Sequence, residues 1–435
     1  YNSDSMRRLY SLLLNLLLPL VLLYLLFRGF RDRRYLSRWA ERFGFFTAPA
    51  DSGGIVVHAV SMGEVNAASV LIRGLADAYP DDRLCVTAFT PTGSARIRDL
   101  FGDSVFHVYS PLDLPGAVTR FFNRVRPRLL VIMETEIWPN LYHQAARRGI
   151  PIVVANARIS DHSLNSYQRF RRLTAGALAN ADCIAAQSRQ DGDRLRNIGA
   201  PHDRVQVTGN LKFDLTLPPS LHEEGDSIRL AWGPHRPVLV AGSTHEKEET
   251  VVVGVFRRLL GQFPDALLVL APRHPERFSR AAQSARSSGL EVSLRSESPV
   301  CPPQTQCFVI DTMGELQRYY AAGDAAFVGG SLEPIGGHNP LEPAALSKPV
   351  LFGPHMFNFA DISRQLLQAG AALEVANGPE LEEQLTRLFR DPILRDDMGR
   401  AAHQLFKSGQ GAVDRTLQMI EKILNTLPDQ PRQPR

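Results

Sequence analysis

From Gly53 onward the chain repeats one device: a continuous apolar run, a short polar turn, then a helical stretch. Apolar runs at Ile55–Ser61, Leu84–Phe89, Val105–Tyr109, Leu129–Glu134, Ile152–Ala157, Cys183–Gln187 and Val205–Thr208 alternate with helical patterns such as Val65–Ala78, Ala117–Val125 and Asp191–Ile198. Strands apolar on both faces and separated by helices can bury both faces only in a parallel sheet covered on either side. Open sheets of this kind bind ligands beyond the carboxyl ends of their strands, so each polar residue that directly follows a strand is a candidate for function.

At 435 residues the chain exceeds what one core organises. Leu215 to Ile228, with Pro218, Pro219 and mixed charge, breaks the alternation and reads as a linker. Strands resume at Val238–Ser243, Ala266–Ala271, Cys307–Asp311, Ala325–Gly329 and Val350–Phe352. Helices are expected at Glu246–Leu260, Glu315–Ala322, Glu342–Leu346 and Asp361–Ala369. The expected fold is α/β, with two tandem doubly wound Rossmann-like domains behind an N-terminal anchor helix. Residues 6–46 form the anchor and a basic collar, 47–214 the first domain, 215–228 the linker and 229–391 a nucleotide-binding second domain. Helices over 392–427 are expected to return to the first domain, and 428–435 is a polar, disordered tail.

The formal charge of +4 becomes informative once located. Residues 1–50 hold eight Arg against Asp4, Asp32 and Glu41, so the basic surplus sits entirely at the N-terminus. That pattern excludes a broadly cationic nucleic-acid binder and points to a membrane surface. Leu9 to Phe27 is interrupted only by Ser11, Asn15 and Pro19, long enough to reach across a hydrocarbon layer of roughly 30 Å. A cleaved signal peptide competes, but no small-x-small site follows, and Arg28, Arg31, Arg33 and Arg34 directly after the run argue against export. They favour a body on the cytoplasmic side of the membrane, contacting anionic phospholipids; spanning and single-leaflet insertion both remain open. The four cysteines, 85, 183, 301 and 307, lack C-x-x-C spacing, which fits a reducing compartment without structural zinc.

The strand ends carry the chemistry. Glu64 follows Ser61-Met62-Gly63 and opens a helix, where the macrodipole favours its ionised form and a general-base role; it reads equally as a first-turn decoration. Glu134 and Glu136 close the Leu129 strand, a position packing explains poorly, although Glu136 alone reads also as a helix N-terminal charge. Lys212 follows the last strand of the first domain and is either a site residue or a solvated charge. In the second domain Ser243 and Thr244 join strand to helix with small residues whose N–H groups can approach a phosphate. Pro272-Arg273 ends another strand in a cation, and Met313-Gly314-Glu315 repeats the turn-then-helix device. In Gly336-Gly337-His338-Asn339-Pro340-Leu341-Glu342 the glycines allow close backbone approach and Glu342 can accept ribose hydroxyls. Four such devices in one domain favour a nucleotide. No G-x-x-x-x-G-K-[ST] and no G-x-G-x-x-G after the first strand argue against P-loop and dinucleotide redox chemistry. Asp191-Gly192-Asp193 reads as capping, and no metal or other cofactor is expected. His58 and His107, inside strands, read as packed.

At these residues the chain resembles the 3-deoxy-D-manno-octulosonic acid (Kdo) transferases of lipopolysaccharide assembly. The anchor, His58 through Glu64, Glu134-Thr135-Glu136-Ile137-Trp138-Pro139-Asn140, Gly209-Asn210-Leu211-Lys212-Phe213-Asp214 and Gly336 through Pro354 carry the likeness, which runs beyond residue 400. The resemblance implies the two-domain GT-B architecture, CMP-Kdo as donor and the lipid A precursor lipid IVA as acceptor. It also implies Glu64 as proton acceptor and Glu134 and Lys212 as supports of the transition state. Pro272, Arg273, Met313, Gly314, Glu315, Asn339, Pro340, Leu341 and Glu342 are then CMP contacts. A nucleotide-sugar epimerase on the same architecture would leave the anchor without purpose, and a non-catalytic membrane-bound nucleotide sensor would leave Glu64 and Glu134 unexplained.

Overall fold

The computed structural model describes residues 2–49 and 52–426. It divides into two compact units, residues 1–214 with 410–435, and residues 215–409. The expected tail, 428–435, lies outside the described residues.

The first unit holds a parallel sheet of β1 (Ile55–His58), β2 (Leu84–Ala88), β3 (Phe106–Tyr109), β4 (Leu129–Met133), β5 (Ile152–Ala157), β6 (Cys183–Ala186) and β7 (Val205–Val207). Their order is β3-β2-β1-β4-β5-β6-β7. Val56, Leu130 and Ile132 enter one apolar layer while Ile55, Val57, Leu129 and Val131 enter the other, the two-residue alternation that makes both faces of each strand read as apolar. From β1 the chain runs outward through β2 and β3, then returns to place β4 on the other side of β1. The β1/β4 boundary is therefore the topological switch point, where neighbouring crossover helices diverge and open a crevice.

The second unit repeats the plan with β8 (Val238–Thr244), β9 (Leu267–Pro272), β10 (Val292–Leu294), β11 (Cys307–Val309), β12 (Ala325–Val328), β13 (Val350–Phe352) and β14 (Ala372–Glu374), in the order β10-β11-β9-β8-β12-β13-β14. Its switch point lies between β8 and β12. The edge strands β10 and β14, each three residues long, are not foreseen by the sequence.

Several boundaries differ from expectation. The segment read as a linker carries a helix, Leu221–Trp232, whose Leu221 and Trp232 are buried and whose Gly225 packs so closely on Ala321 that a Cβ there would lie 2.4 Å away. Its acidic residues disguise the apolar stripe. The C-terminal run is two helices, Pro392–Gly409 and Ala412–Leu424, parted at Gly411 with φ +88°. The first packs within the second unit, burying Met398, Ala402 and Phe406, and only the other joins the first unit, burying Thr416, Met419 and Ile420. Asp214 fixes that return by accepting the N–H groups of Gly411 and Val413, both at 2.5 Å. The collar's end, too, belongs to the body: Arg42 is 1% exposed, its guanidinium between Phe89 and Tyr109 at 4.7 and 4.3 Å, and Phe46 packs on Phe106 and Phe121.

The N-terminal helix, Asn2–Arg31, is long and apolar enough to cross a membrane. Leu12, Leu13, Leu16, Leu17 and Leu20 are exposed, whereas Ser11, Leu14, Leu18 and Val21 turn inward. Ser11 Oγ donates to Asn140 Oδ1 at 3.0 Å, and Asn140 Nδ2 donates to the Asp113 carbonyl at 2.6 Å. The Asp113 carboxylate accepts the N–H groups of Asn140 and Leu141, so the helix is docked on the start of helix Pro139–Ala146. All four cysteines are buried and free.

Candidate active site

In the first unit both strands of the switch point end in carboxylates. Glu64 follows β1 and Glu134 and Glu136 follow β4. Ser61 caps helix Met62–Ala78: its Oγ accepts Glu64 N–H at 3.3 Å, and Glu64 folds back, Oε1 accepting Ser61 N–H and Oγ–H at 3.2 and 2.8 Å and Oε2 accepting Val60 N–H at 2.9 Å. The capping box S-x-x-E was the sequence signal for this geometry.

The expectation that the helix N-terminus keeps Glu64 ionised is corrected by its surroundings. Glu64 is 7% exposed. Burial first, then the Glu136 charge, push its pKa up to about 8; the Ser61 hydrogen bond opposes, the Glu134 charge raises it further, and the Val60 N–H again opposes. Desolvation acts on the whole charge, whereas the dipole of an exposed helix end offers roughly 0.3–1 kcal/mol. Burial also raises Glu136, against a hydrogen bond from Trp138 Nε1 at 2.7 Å. Glu136 is thus part of the carboxylate group and not a mere helix-end charge.

Glu134 sits at φ +53°, a left-handed conformation that a non-glycine residue adopts at a cost, and its N–H donates to Ala155 O at 2.8 Å. Arg158 Nε pairs with its Oε2 at 3.1 Å. The turn is held from β5: Arg158 N–H donates to Thr135 Oγ1 at 3.3 Å, and Tyr167 OH to the Thr135 carbonyl at 3.0 Å. Trp138 then meets His58 edge-on, centroids 4.7 Å apart. His58 is buried and held well below the usual imidazole range, at about 3, and His107 lies at about 4; both are packed, as expected.

Lys212 lies on the turn Leu211–Phe213, which packs against the Glu64 helix. Two asparagines fix it: Asn210 Oδ1 accepts Lys212 N–H and buried Asn156 Oδ1 accepts Leu211 N–H, each at 3.0 Å. Asn156, at φ +56° where β5 shifts register, escaped sequence reasoning; a polar residue inside an apolar run was its one signal. Asp191 accepts Ile159 N–H and Ser188 Oγ–H beside its helix, a capping role.

The second unit's switch point gathers Ser243, Thr244, Arg273 and the turn Gly336–Glu342. Ser243 stands at φ +55° where β8 and β9 slip register, and Thr244 is fully buried. The helix beyond, Glu246–Leu259, starts beside a buried carboxylate. Glu248, fully buried, folds back to accept the His245 N–H at 3.1 Å, and the segment after β12 gives it three more, from Gly330 at 2.7 Å, Ser331 at 2.8 Å and Leu332 at 2.9 Å. Glu248 looked like an ordinary helical charge in the sequence. Helix Leu341–Ala345 is too short for a substantial dipole. A cationic side chain stands at the end of β9. Arg273 is exposed, with no ion pair among the described residues. His245 and His338 meet Nε2 to Nε2 at 3.0 Å, with His274 edge-on to His245.

Glu342 accepts from Asn339 Nδ2 at 3.4 Å; burial pushes it up to about 7, against the Asn339 bond and the Arg273 charge, so these three residues share one site. Asn339 Oδ1 accepts Leu341 N–H at 3.1 Å, shaping the turn around Pro340. At Gly337, φ +74°, a Cβ would lie 2.2 Å from Met356 Sδ, so only glycine fits. Met313 is exposed beside Gly314 at φ +83°, but Glu315 is tied to Arg295 at 3.1 Å, Arg318 at 2.9 Å and Thr312, and is held below the usual carboxylate range despite its burial. It serves the turn rather than offering free oxygens. In the collar Arg28 stacks on Tyr35 at 4.4 Å and Arg31 on Phe27 at 5.9 Å, while Arg34 is paired with Asp32 at 2.9 Å, which reduces its share of the expected basic surface.

Comparison with known proteins agrees with this architecture. The family model for 3-Deoxy-D-manno-octulosonic-acid transferase (kdotransferase) matches residues 37–215. A 3-deoxy-D-manno-octulosonic acid transferase of Haemophilus influenzae is 40% identical, covering 96% of this chain and 99% of that protein, and one of Bordetella pertussis is 36% identical, covering 96% and 99%. The crystal structure of UDP-GlcNAc 2-epimerase from Neisseria meningitidis aligns with TM-score 0.54 at 15% identity, over 86% of this chain and 100% of that one, a likeness of fold.

Proposed function

The chain belongs to the Kdo transferases, a family of glycosyltransferases, and from that membership we propose that it moves Kdo from CMP-Kdo to a hydroxyl of a lipid A precursor, with inversion at the anomeric carbon and without a metal ion. The observation that carries this reading is the carboxylate group at the β1/β4 switch point, with Glu64 raised to about 8. A buried carboxyl with that affinity for protons is a stronger base, once ionised, than an exposed one, and suits the uptake of a sugar hydroxyl's proton.

The step is a single displacement. The acceptor oxygen attacks the anomeric carbon as its proton passes to Glu64, and the bond to the CMP phosphate breaks on the opposite side. Kdo's own carboxylate adjoins the reacting carbon, so a cation near it, Lys212, orients the sugar. The backbone fixing of that turn by Asn156 and Asn210 supports the assignment. Glu134, held by Arg158 in a strained conformation, supports the developing positive charge. Arg273 takes the phosphate and Glu342 the ribose hydroxyls. A monophosphate leaving group needs less neutralisation than a diphosphate, which supports a reaction without metal.

The N-terminal helix supports action at a membrane. Its inward flank is tied to the body at Ser11 and faces it through half-buried Leu14, Leu18 and Val21, while its other flank is exposed and apolar. A helix held along the body cannot also cross the bilayer over the same residues, so we read it as lying in one leaflet, on the cytoplasmic side of the inner membrane. The test is incubation of the purified full chain with CMP-Kdo and tetraacylated lipid IVA, with sugars counted by mass spectrometry. A mass increment of one or more Kdo units is expected; unchanged acceptor refutes the proposal.

A further inference from the structure

Between the N-terminal helix and the carboxylate loops runs a groove of about 320 Å³. One wall is the helix flank Leu14, Leu18 and Val21, and the other is Phe89, Leu112 and Trp138. Its polar side chains are Tyr10, Asp113 and Trp138; the Asp113 carboxylate already accepts the N–H groups of Asn140 and Leu141, and Trp138 Nε1 donates to Glu136. The rest of the lining is aliphatic or aromatic, so the groove selects for hydrocarbon.

Two features identify which hydrocarbon. The groove's helical wall is the inward flank of the helix whose other flank, Leu13, Leu17 and Leu20, is exposed and apolar, so the groove is continuous with the surface that meets lipid. Its far wall, Trp138, donates to Glu136, whose charge acts on Glu64, so an occupant extending from the groove reaches the carboxylate group. We propose that the groove takes one acyl chain of the acceptor lipid, lifting it out of the bilayer and setting the headgroup hydroxyl at Glu64. The inference rests on the acceptor class proposed above. The N-terminal helix is then a wall of the substrate site as well as an anchor.

Leu18→Trp fills the groove without touching a proposed catalytic group. Kinetics of the full chain in detergent micelles are compared on lipid IVA and on its completely deacylated headgroup. The expected result is a loss in kcat/KM of about tenfold or more on the acylated acceptor, with the deacylated one within about twofold of wild type. Equal losses on both, or no loss on either, would overturn the proposal. So would a wild-type enzyme that uses both acceptors equally well. A wild type that glycosylates neither refutes the acceptor class itself, which separates the two failures. In the Trp39→Phe/Trp232→Phe variant Trp138 is the sole tryptophan of the original three. Lipid IVA brominated in its chains should quench its fluorescence, whereas a phosphatidylethanolamine brominated in its chains should not at equal mole fraction. Equal quenching would give the groove to bulk lipid and overturn the assignment to the acceptor.

Discussion

Glu136→Gln isolates the electrostatic origin of the proposed base. In the free protein Glu64 is raised from 4.5 to about 8, with burial first and the Glu136 charge second among the causes. A general base must be ionised to work, so kcat/KM should climb with pH and level off above about 8, instead of being flat from pH 6 upward as for an ordinary glutamate. At pH 7 only about a tenth of the enzyme then carries an ionised Glu64. Gln keeps the acceptor for Trp138 Nε1 and removes the charge. A neighbouring like charge is worth on the order of one pK unit, so the acid limb should move toward pH 7 and kcat/KM at pH 7 should rise about fivefold. The assay is initial-rate Kdo transfer at low acceptor concentration from pH 5.5 to 9.5 at constant ionic strength. Because three carboxylates interact, the limb belongs to the group as a whole, which is why its displacement in the variant is more diagnostic than its position. A wild-type limb below pH 5.5, or one that stays in place in the variant, would refute the argument.

Glu342→Ala should weaken CMP binding measured by calorimetry, since a lost ribose contact leaves polar groups unpaired at a cost of about 1–3 kcal/mol; unchanged affinity would place the nucleotide elsewhere. Saturating EDTA should leave the rate within about twofold, roughly 0.4 kcal/mol in barrier, and activity restored by Mg²⁺ would contradict the metal-free proposal. Changing Arg28, Arg31 and Arg33 to Gln should reduce transfer to acceptor in anionic vesicles by up to about 1 kcal/mol per charge, less at high salt, with detergent-dispersed acceptor little affected. Adding Arg34→Gln should contribute less, because Asp32 already pairs with it. Equal losses in vesicles and detergent would assign the collar to folding.

The parallel sheets were legible because their strands bury both faces: Leu129–Met133 is apolar at every position and five of its residues are buried. The edge strands Val292–Leu294 and Ala372–Glu374 were not, since a partly exposed edge needs no apolar run. At the site the sequence revealed residues that follow strands, Glu64 and Glu134 among them, because apolar runs mark where strands stop. It concealed those whose role is to hold others. Glu248 looks like one more helical acid, yet four backbone N–H groups converge on it. The protonation of Glu64 was misjudged for a related reason: the helix end is local and visible in sequence, whereas burial and the charge of Glu136 are products of tertiary structure.

Glu64→Gln tests the central claim most directly. In single-turnover rapid-quench experiments with CMP-Kdo and lipid IVA the variant should lose the chemical step by a factor on the order of 10² or more while CMP affinity is kept. Its stability should report the same group. The folded protein holds a proton on Glu64 between pH 4.5 and about 8 that the unfolded chain has released. Wild-type stability should therefore fall as pH rises through that window, by up to ~1.4 kcal/mol per unit, and Gln should remove this fall. Turnover near that of wild type at pH 8 would remove Glu64 from the mechanism and contradict the account.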